Sequence, residues 1–439
     1  MHLAHRSYAL LALTGALAIG GMWSGEPALG YLWTLPLALL LAGVALEGLW
    51  MRGLSVQAGI ESAPRAFLGR AHCFEYVFRQ SGQRPLAIEY LPALPAGFEL
   101  LGGATAGAGA TRLLQVPAAG AAHDSLQLLA VRLGPYAWPA LHTRRLGRLG
   151  LIWWSYREPL EHRVRVAPDI VSRARMPRGG SRTGSRPQRG NGAGSELHQL
   201  RDYVPGDPLG RVDWKATARL RRLISRELEQ DQHLDIVLAL DAGRGSRVRA
   251  GPLDRLGVYA NLAARLAESA TANDDRVGLL VYSEQPLAVL APARGRSAVL
   301  RLRRTLERLE PQAGESDPLV VAMRLRSLLK HRSLVVLLAD LEDPGQGPAL
   351  ARAVRLLAPP HVVLVAGILG AELEEVAQAE ARSWRDPWIA LAAREEQLQG
   401  GRRRALLRRL GAPVVSARAG ELEQAVLHEY QRLRASRRI

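Results

Sequence analysis

The second half of the chain alternates between continuous apolar segments of strand length and segments with helical periodicity. The apolar segments read LDIVLALDA, RVGLLVYS, SLVVLLADL and HVVLVAGIL. Strands that are apolar without interruption are typical of parallel sheets, because helices cover both faces of such a sheet. The alternation therefore predicts a doubly wound α/β sheet over residues 231–439, with a helical extension at its C-terminal end.

Two of the predicted strands end in aspartate, Asp241 and Asp340. Doubly wound sheets bind ligands at the carboxyl ends of their strands, and carboxylates with nearby hydroxyls are the donors that hard cations prefer. Ser246 and the loop residues Ser316 and Asp317 supply further oxygens. The pattern predicts a cation site at these residues. The alternative is that the carboxylates cap helices or pair with arginines.

The common catalytic and nucleotide-binding motifs are absent from the sequence. Gly243 and Gly245 follow a predicted strand, but the third position of a dinucleotide fingerprint is Val248. The chain contains no G-x-x-x-x-G-K-[ST], no H-E-x-x-H and no G-x-S-x-G. The sequence therefore predicts a protein that is not an enzyme and does not hydrolyse nucleotides by itself.

Two apolar runs near the N-terminus, residues 7–23 and 31–50, are each close to the length of a membrane span. Arg6 precedes the first run and Arg52 follows the second, while the loop between the runs carries no base. The positive-inside tendency then predicts a transmembrane hairpin over residues 1–53 with both ends in the cytoplasm. The alternative is that the first run is a cleaved signal peptide.

The region between the hairpin and the α/β sheet has two parts. Residues 54–170 contain short segments of alternating polarity, such as FEYVFRQ and LAIEYLPAL, which predict a small β-sandwich-like domain. Residues 171–195 are rich in Gly, Ser, Arg and Pro. That composition cannot bury a core, so it predicts a flexible basic linker.

The net charge of +17 narrows the classes of partner. A strongly basic chain binds nucleic acid, an anionic membrane surface or an acidic protein. Aromatic residues make up only 5% of the chain, which argues against nucleic-acid binding by base stacking. Cys73 is the single cysteine, so the sequence excludes an intramolecular disulfide and a multi-cysteine zinc site.

Residues 196–230, here called the signature segment, combine a turn with dense charge of both signs. Pro205-Gly206 suits the central positions of a tight turn. Asp202, Asp207 and Asp213 alternate with Arg201, Arg211 and Lys215. The pattern predicts an internal ion-pair network with Trp214 packed as its anchor; the alternative is direct contact with a partner.

The signature segment resembles the DUF58 family through the pattern R-D-Y-x-P-G-D-x-x-x-R-x-D-W-K-A-T-A-R. The matching residues are Arg201, Asp202, Tyr203, Pro205, Gly206, Asp207, Arg211, Asp213, Trp214, Lys215 and Arg219. The resemblance implies a von Willebrand factor A-like domain behind a two-helix hairpin in the inner (plasma) membrane of a bacterium. It also implies a MoxR-type AAA+ ATPase as partner, and no established enzymatic activity.

The metal site of A-like domains has the pattern D-x-S-x-S, followed later by a Thr and an Asp. Asp241 matches the first position, Gly243 and Gly245 replace the two hydroxyl residues, and Ser246 comes one place late. Ser316 or Asp317 stands near the Thr position, and Asp340 matches the last Asp. The resemblance thus implies a degenerate Mg²⁺ site and no other cofactor.

These observations favour a membrane-anchored, non-catalytic adaptor that works with the ATPase in protein-complex assembly or chaperone-like work. The A-like domain would bind a protein client, which the sequence does not identify, at the strand ends. Two alternatives stay open at this point. One is an extracytoplasmic adhesion-type A-domain, which requires the opposite topology, and the other is a nucleic-acid-binding protein.

Overall fold

The computed structural model describes residues 2–24, 29–101, 111–169, 196–207, 209–229, 234–358 and 360–436. The linker predicted at residues 171–195 lies outside the described residues. The described chain forms two compact units that interleave in sequence. The first comprises Met1–Asp169, Ala242–Leu262 and Arg303–Glu315, and the second comprises Ile170–Asp241, Ala263–Leu302 and Ser316–Ile439.

Two helices, α1 (His5–Ser24) and α2 (Thr34–Arg52), pack against each other near the N-terminus. Among the described residues, α2 is the one helix that is long and apolar enough to cross a membrane. The prediction of two membrane spans is therefore not confirmed. Helix α1 contains His5, Arg6 and Thr14, and these polar residues dilute its apolar character.

The rest of the first unit is mainly β-structure, as predicted for residues 54–170. Its strands are β1 (His2–Leu3), β2 (Val56–Glu61), β3 (Arg65–Phe67), β4 (Ala71–Gln80), β5 (Leu86–Leu91), β6 (Phe98–Leu100), β7 (Arg112–Val116), β8 (Ala121–Ala130), β9 (Gly134–Ala137), β10 (Leu141–Leu146), β11 (Ile152–Glu158) and β12 (Arg163–Ala167). They form sheets in the orders β2-β4-β8-β6, β1-β11-β10-β5-β7 and β3-β12-β9.

Aromatic side chains join the two larger of these sheets. Tyr90 on β5 packs against Phe78 and Tyr76 on β4, with ring centroids 4.9 Å and 5.5 Å apart. All three residues are buried. Rings this large contribute much of the buried apolar area of a small core, so the alternating strands form the sandwich-like arrangement that their periodicity predicts.

The signature segment forms an antiparallel hairpin of β13 (Glu196–Asp202) and β14 (Ile224–Glu229). The connection between these strands contains a short 3₁₀ helix, Leu209–Arg211, and the helix α3 (Trp214–Leu220). The hairpin is a two-stranded sheet of its own.

The core of the second unit is a six-stranded sheet in the order β19-β18-β15-β20-β21-β22. Only the pairing of β19 with β18 is antiparallel. The strands are β15 (Asp235–Asp241), β18 (Arg276–Tyr282), β19 (Pro286–Ala293), β20 (Ser333–Leu338), β21 (Val362–Ile368) and β22 (Val414–Ala417). Along the chain between β15 and β18, residues of the first unit form a two-strand ribbon of β16 (Arg249–Ala250) and β17 (Leu253–Asp254).

Helices alternate with these strands along the chain. They are α4 (Arg255–Ala272), α5 (Gly295–Leu306), α6 (Pro318–Leu328), α7 (Gly347–Leu357), α8 (Ala371–Gln378), α9 (Asp386–Arg409) and α10 (Leu422–Ala435). Side chains of α6, α7 and α9 pack with Val237, Val335 and Val363 on one face of the sheet. The alternate residues Ile236 and Leu238 are buried as well, so both faces are covered.

The C-terminal region is part of the sheet rather than an extension beyond it. Strand β22 pairs in parallel with β21 as the edge strand, and α10 packs against both. Tyr430 on α10 donates a hydrogen bond of 2.6 Å to the buried Asp275 carboxylate. Burial and this neighbouring carboxylate raise the pKa of Tyr430 well above its ordinary value.

Candidate functional site at the carboxyl edge of the α/β sheet

The two strand-end aspartates lie where the strand order of the sheet reverses. Asp241 is the last residue of β15, Asp340 follows the end of β20, and these two strands are direct neighbours. Ligands of doubly wound sheets bind at such a reversal, because the connections leave the two strands in opposite directions and open a crevice. The sheet order therefore puts both strand ends at the edge best suited to binding.

Asp241 is only 2% exposed, and its carboxylate accepts a hydrogen bond from the hydroxyl of Ser316. Ser316 is also buried and lies in the loop that leads into α6. A carboxylate with so little exposure cannot offer a contact surface to a partner protein. Its role in this geometry is to orient the Ser316 loop at the edge of the sheet.

Asp317 fixes the start of α6. Its carboxylate accepts a hydrogen bond of 2.9 Å from the backbone N–H of Leu319, as an N-cap residue does. Its own backbone N–H donates to the carbonyl of Ser283, at 3.0 Å, and Ser283 directly follows β18. This contact ties the loop before α6 to the end of a third strand.

Asp340 and Glu342 organise the loop after β20. The carboxylate of Asp340 accepts a hydrogen bond of 3.0 Å from the backbone N–H of Glu342. The Glu342 carboxylate in turn accepts from the N–H of Gly370, which follows β21, at 3.0 and 3.1 Å. Arg403 of α9 donates to the Glu342 carbonyl at 2.7 Å. The loop is thus held by the Gly370 backbone on one side and by the Arg403 side chain on the other.

Ser246 lies in a short 3₁₀ turn, Arg244–Arg247, after the end of β15. It is buried, and its hydroxyl donates a hydrogen bond of 2.6 Å to the carbonyl of Gly243. This bond closes the turn locally. The neighbouring Gly243 and Gly245 have no side-chain oxygen to contribute.

The side chains at this edge do not make up a complete cation site. Hard cations take about six or more oxygen ligands, whereas Asp317 and Asp340 already accept backbone hydrogen bonds. Among the residues that the structure describes, no group of three or more His, Cys, Asp or Glu side chains could hold a metal ion. Cation binding at Asp241, Ser246, Ser316, Asp317 and Asp340 stays a prediction from the sequence.

The turn in the signature segment has the geometry that Pro205-Gly206 predicts. Gly206 has a φ of +108°, which a residue with a side chain rarely adopts. The backbone N–H of Asp207 donates to the Val204 carbonyl at 3.0 Å, closing the turn. The guanidinium of Arg201 donates two hydrogen bonds, of 2.7 and 2.8 Å, to the Asp207 carboxylate. Bidentate pairs of this kind are the stronger class of ion pair.

Asp202 and Asp213, the other two acids of the predicted ion-pair network, have partners that the sequence did not predict. Asp202 pairs with Arg222 at 3.0 Å. Asp213 is the N-cap of α3, because its carboxylate accepts from the N–H of Ala216 at 2.9 Å. The prediction that Trp214 anchors the segment by packing is wrong, since Trp214 is 65% exposed. The segment is held by backbone and ion-pair contacts, which leave the indole on the surface.

The sequence reasoning missed Glu47, an acid inside the apolar helix α2 of the first unit. It is 0% exposed and accepts hydrogen bonds from the backbone N–H groups of Leu149, Leu151 and Ile152, at 2.7, 3.1 and 3.1 Å. The first two groups belong to the turn between β10 and β11, and Ile152 is the first residue of β11. A lone carboxylate in an otherwise apolar run is the signal that could have marked it, because buried charges require partners.

The start of α1 and the residue before it contact the same turn. The backbone N–H of Ala4 and the Ser7 hydroxyl both donate to the carbonyl of Leu151, at 2.8 and 2.5 Å. Leu151 also packs with Leu40 of α2 in a small apolar cluster. Both helices are therefore attached to the β10–β11 turn within the first unit.

Comparison with known proteins supports the reading of the signature segment. Residues 199–383 match the model of the family described as "Protein of unknown function DUF58". An uncharacterized protein of Mycobacterium tuberculosis, Rv1480, is 26% identical over 180 residues, which is 40% of this chain and 56% of that protein. An uncharacterized protein of Mycobacterium bovis matches to the same extent. The chain spans about half the length of these curated relatives.

Two solved structures are similar to parts of the chain. The conserved hypothetical protein BatB from Bacteroides thetaiotaomicron is 16% identical with a TM-score of 0.31, covering 46% of this chain and 99% of its own. The SpRpn10 VWA domain is 13% identical with a TM-score of 0.29, covering 45% of this chain and 95% of its own. Likeness at this level carries no argument about function.

The strands of the second unit, counted from β15 along the chain, stand in the order 3-2-1-4-5-6 with an antiparallel third strand. The family match runs from the signature hairpin through β21, so it includes five of these six strands. The signature and the sheet thus occur together in one matched region. Residues 199–383 are thus similar to the DUF58 family, and the second unit is a doubly wound α/β sheet.

Proposed function

We propose that this protein is a membrane-anchored adaptor that binds a partner protein at the carboxyl edge of its A-like sheet and works with a MoxR-type AAA+ ATPase. The observation that carries the proposal is the hydrogen bond between Asp241 and Ser316 at the reversal of the sheet. This contact orders a loop at the position where doubly wound sheets bind their ligands. The ATPase would supply the energy, since the sequence has no nucleotide-binding motif of its own.

The partner would contact the exposed and half-buried groups around Asp241 rather than Asp241 itself. Glu284 follows β18 and is exposed, while Asp317 and Asp340 are partly exposed. These carboxylates form an acidic edge on a chain with a net charge of +17. Local charge of opposite sign to the whole molecule favours partner selection by electrostatic complementarity.

Helix α2 supports the membrane part of the proposal, because it is long and apolar enough to span a bilayer. We propose that α1 and α2 form the anchor together and that the remaining residues face the cytoplasm. A reporter enzyme fused after Ile439 tests this orientation. Activity of the reporter only outside the cytoplasm would contradict it and would favour the adhesion-type alternative.

Co-purification tests the partnership. The tagged full chain, extracted in mild detergent, is expected to retain the MoxR-type ATPase of the same organism. Glu284→Gln together with Asp340→Asn should reduce the retained ATPase on the order of tenfold, because two charges would be lost while the amide oxygen can still accept the hydrogen bond from Glu342. Wild-type protein that never retains an ATPase, with or without nucleotide, would count against the proposal.

A matched control lies on the same strand as Asp241. Asp235 begins β15 at the opposite edge of the sheet and pairs with Arg276 at 3.2 Å. Asp241→Asn should weaken retention by loosening the Ser316 loop, whereas Asp235→Asn should leave it unchanged. Equal loss in both variants would mean that the strand, and not its carboxyl edge, is responsible.

A further inference from the structure

The signature segment exposes several large apolar side chains. Trp214 is 65% exposed, Leu209 is 68% exposed, and Val204 and Leu220 are each more than half exposed. Helix α3 has seven residues, all of them described, and none of them is buried. All four belong to the one connection between β13 and β14. Exposed apolar residues concentrated in one short element mark a site of interaction more often than single scattered ones do.

The backbone that carries these exposed side chains is fixed by hydrogen bonds and an ion pair within the signature segment. Arg201 and Asp207 form the bidentate pair, and Asp213 caps α3. The hydroxyl of Thr217 accepts a hydrogen bond of 3.0 Å from the backbone N–H of Ile224, which ties α3 to β14. A surface that is already ordered loses less conformational entropy on binding than a flexible one.

The exposed charges beside these apolar side chains are mainly basic, because two of the carboxylates are engaged within the segment. The carboxylates of Asp207 and Asp213 are engaged by Arg201 and by the N-terminus of α3. Lys215, Arg219 and Arg221 are exposed next to the apolar side chains. Trp and Arg are the residue types that most often dominate the binding energy of protein interfaces.

We propose that the signature segment is a preformed docking surface for a segment of a partner protein that carries acidic and apolar side chains. This surface is made of other residues than the acidic edge at Asp241 and selects for the opposite charge. The proposal goes beyond the proposed function and does not require that the partner be the ATPase.

Charge complementarity favours this occupant over the other candidates. Residues 172–195 of the chain contain arginines and no Asp or Glu, so they would be repelled by the basic surface. A second copy would present the same basic surface on a chain of net charge +17. Helices that bind membrane surfaces have a large continuous apolar face, whereas α3 has only seven residues.

Site-specific photo-crosslinking tests the proposal in the full chain. A benzophenone amino acid replaces Leu209 in one variant and Leu220 in a second, and the control variant carries it at Leu287, which is exposed on β19. We expect both signature positions, and not the control, to cross-link a protein whose cross-linked peptide carries acidic and apolar side chains.

Charge reversal provides the second readout. Lys215→Glu with Arg219→Glu should lower the cross-linking yield on the order of tenfold. The matched variant, Arg352→Glu with Arg355→Glu, reverses two exposed arginines on α7 and should leave the yield unchanged. Cross-links to lipid, nucleic acid, the chain itself or a basic peptide, or a yield no greater than at Leu287, would overturn the proposal.

Discussion

Replacing Glu47 by alanine should detach the β10–β11 turn from helix α2. The carboxylate accepts three backbone hydrogen bonds, and those from Leu151 and Ile152 are fully buried. A buried donor left without an acceptor costs about 1–3 kcal/mol, so two such donors cost about 2–6 kcal/mol. The third donor, Leu149, is partly exposed, so water can replace the lost bond.

One effect opposes this loss. Taking a carboxylate out of water costs several kcal/mol, and the alanine variant no longer bears that cost. Part of the hydrogen-bond loss is therefore recovered. We expect Glu47→Ala to lower the free energy of opening of the turn by about 2–4 kcal/mol.

Amide hydrogen exchange of the full chain in detergent micelles measures this local opening. The amides of Leu149, Leu151 and Ile152 should exchange faster in Glu47→Ala by a factor on the order of a hundred, which corresponds to about 3 kcal/mol. Glu61→Ala is the control, because Glu61 forms an exposed ion pair with Arg79 at 3.0 Å and such pairs contribute little. Unchanged protection of the three amides in Glu47→Ala would refute the reasoning.

Three further predictions concern single groups. Asp213→Ala should destabilise α3 by about 1 kcal/mol through loss of its N-cap, seen as faster exchange of the Ala216 amide, which Asp202→Ala should not reproduce. Gly206→Ala should cost about 1–3 kcal/mol in unfolding experiments, because its φ of +108° strains any residue with a side chain; an unchanged midpoint would contradict this. Burial, helped by Arg326, lowers the pKa of His361 below its ordinary value, so as the pH falls through about 6.5 the unfolded chain takes up this proton before the folded chain does, and stability falls. His361→Phe should flatten the loss of unfolding free energy between about pH 7 and pH 5, and equal slopes would show that His361 is not responsible.

Local sequence patterns correctly predicted the central strands and the turn, because the conformation of these elements depends on residues that are close in sequence. The apolar runs that end at Asp241 and near Asp340 became central parallel strands, because uninterrupted apolar residues are stable only with both faces covered. Pro205-Gly206 became a closed turn, because proline fixes one dihedral angle and glycine permits the other. The position of β22 as the sixth strand was not foreseen, because its four residues carry too weak a pattern by themselves.

Contacts between distant parts of the chain were decided only by the tertiary structure. Asp241 accepts a hydrogen bond from Ser316, which lies 75 positions later in the sequence. Glu47 accepts one from Leu149 in the β10–β11 turn, about a hundred positions later. Trp214 stays exposed because ion pairs and backbone bonds already satisfy the signature segment, which no spacing of residues could reveal. The sequence by itself thus determined the strands and the turn and pointed to a resemblance to DUF58 proteins, since these rest on local periodicity and residue type. Which carboxylates are buried, and which apolar side chains remain on the surface, depended on how the elements pack in three dimensions.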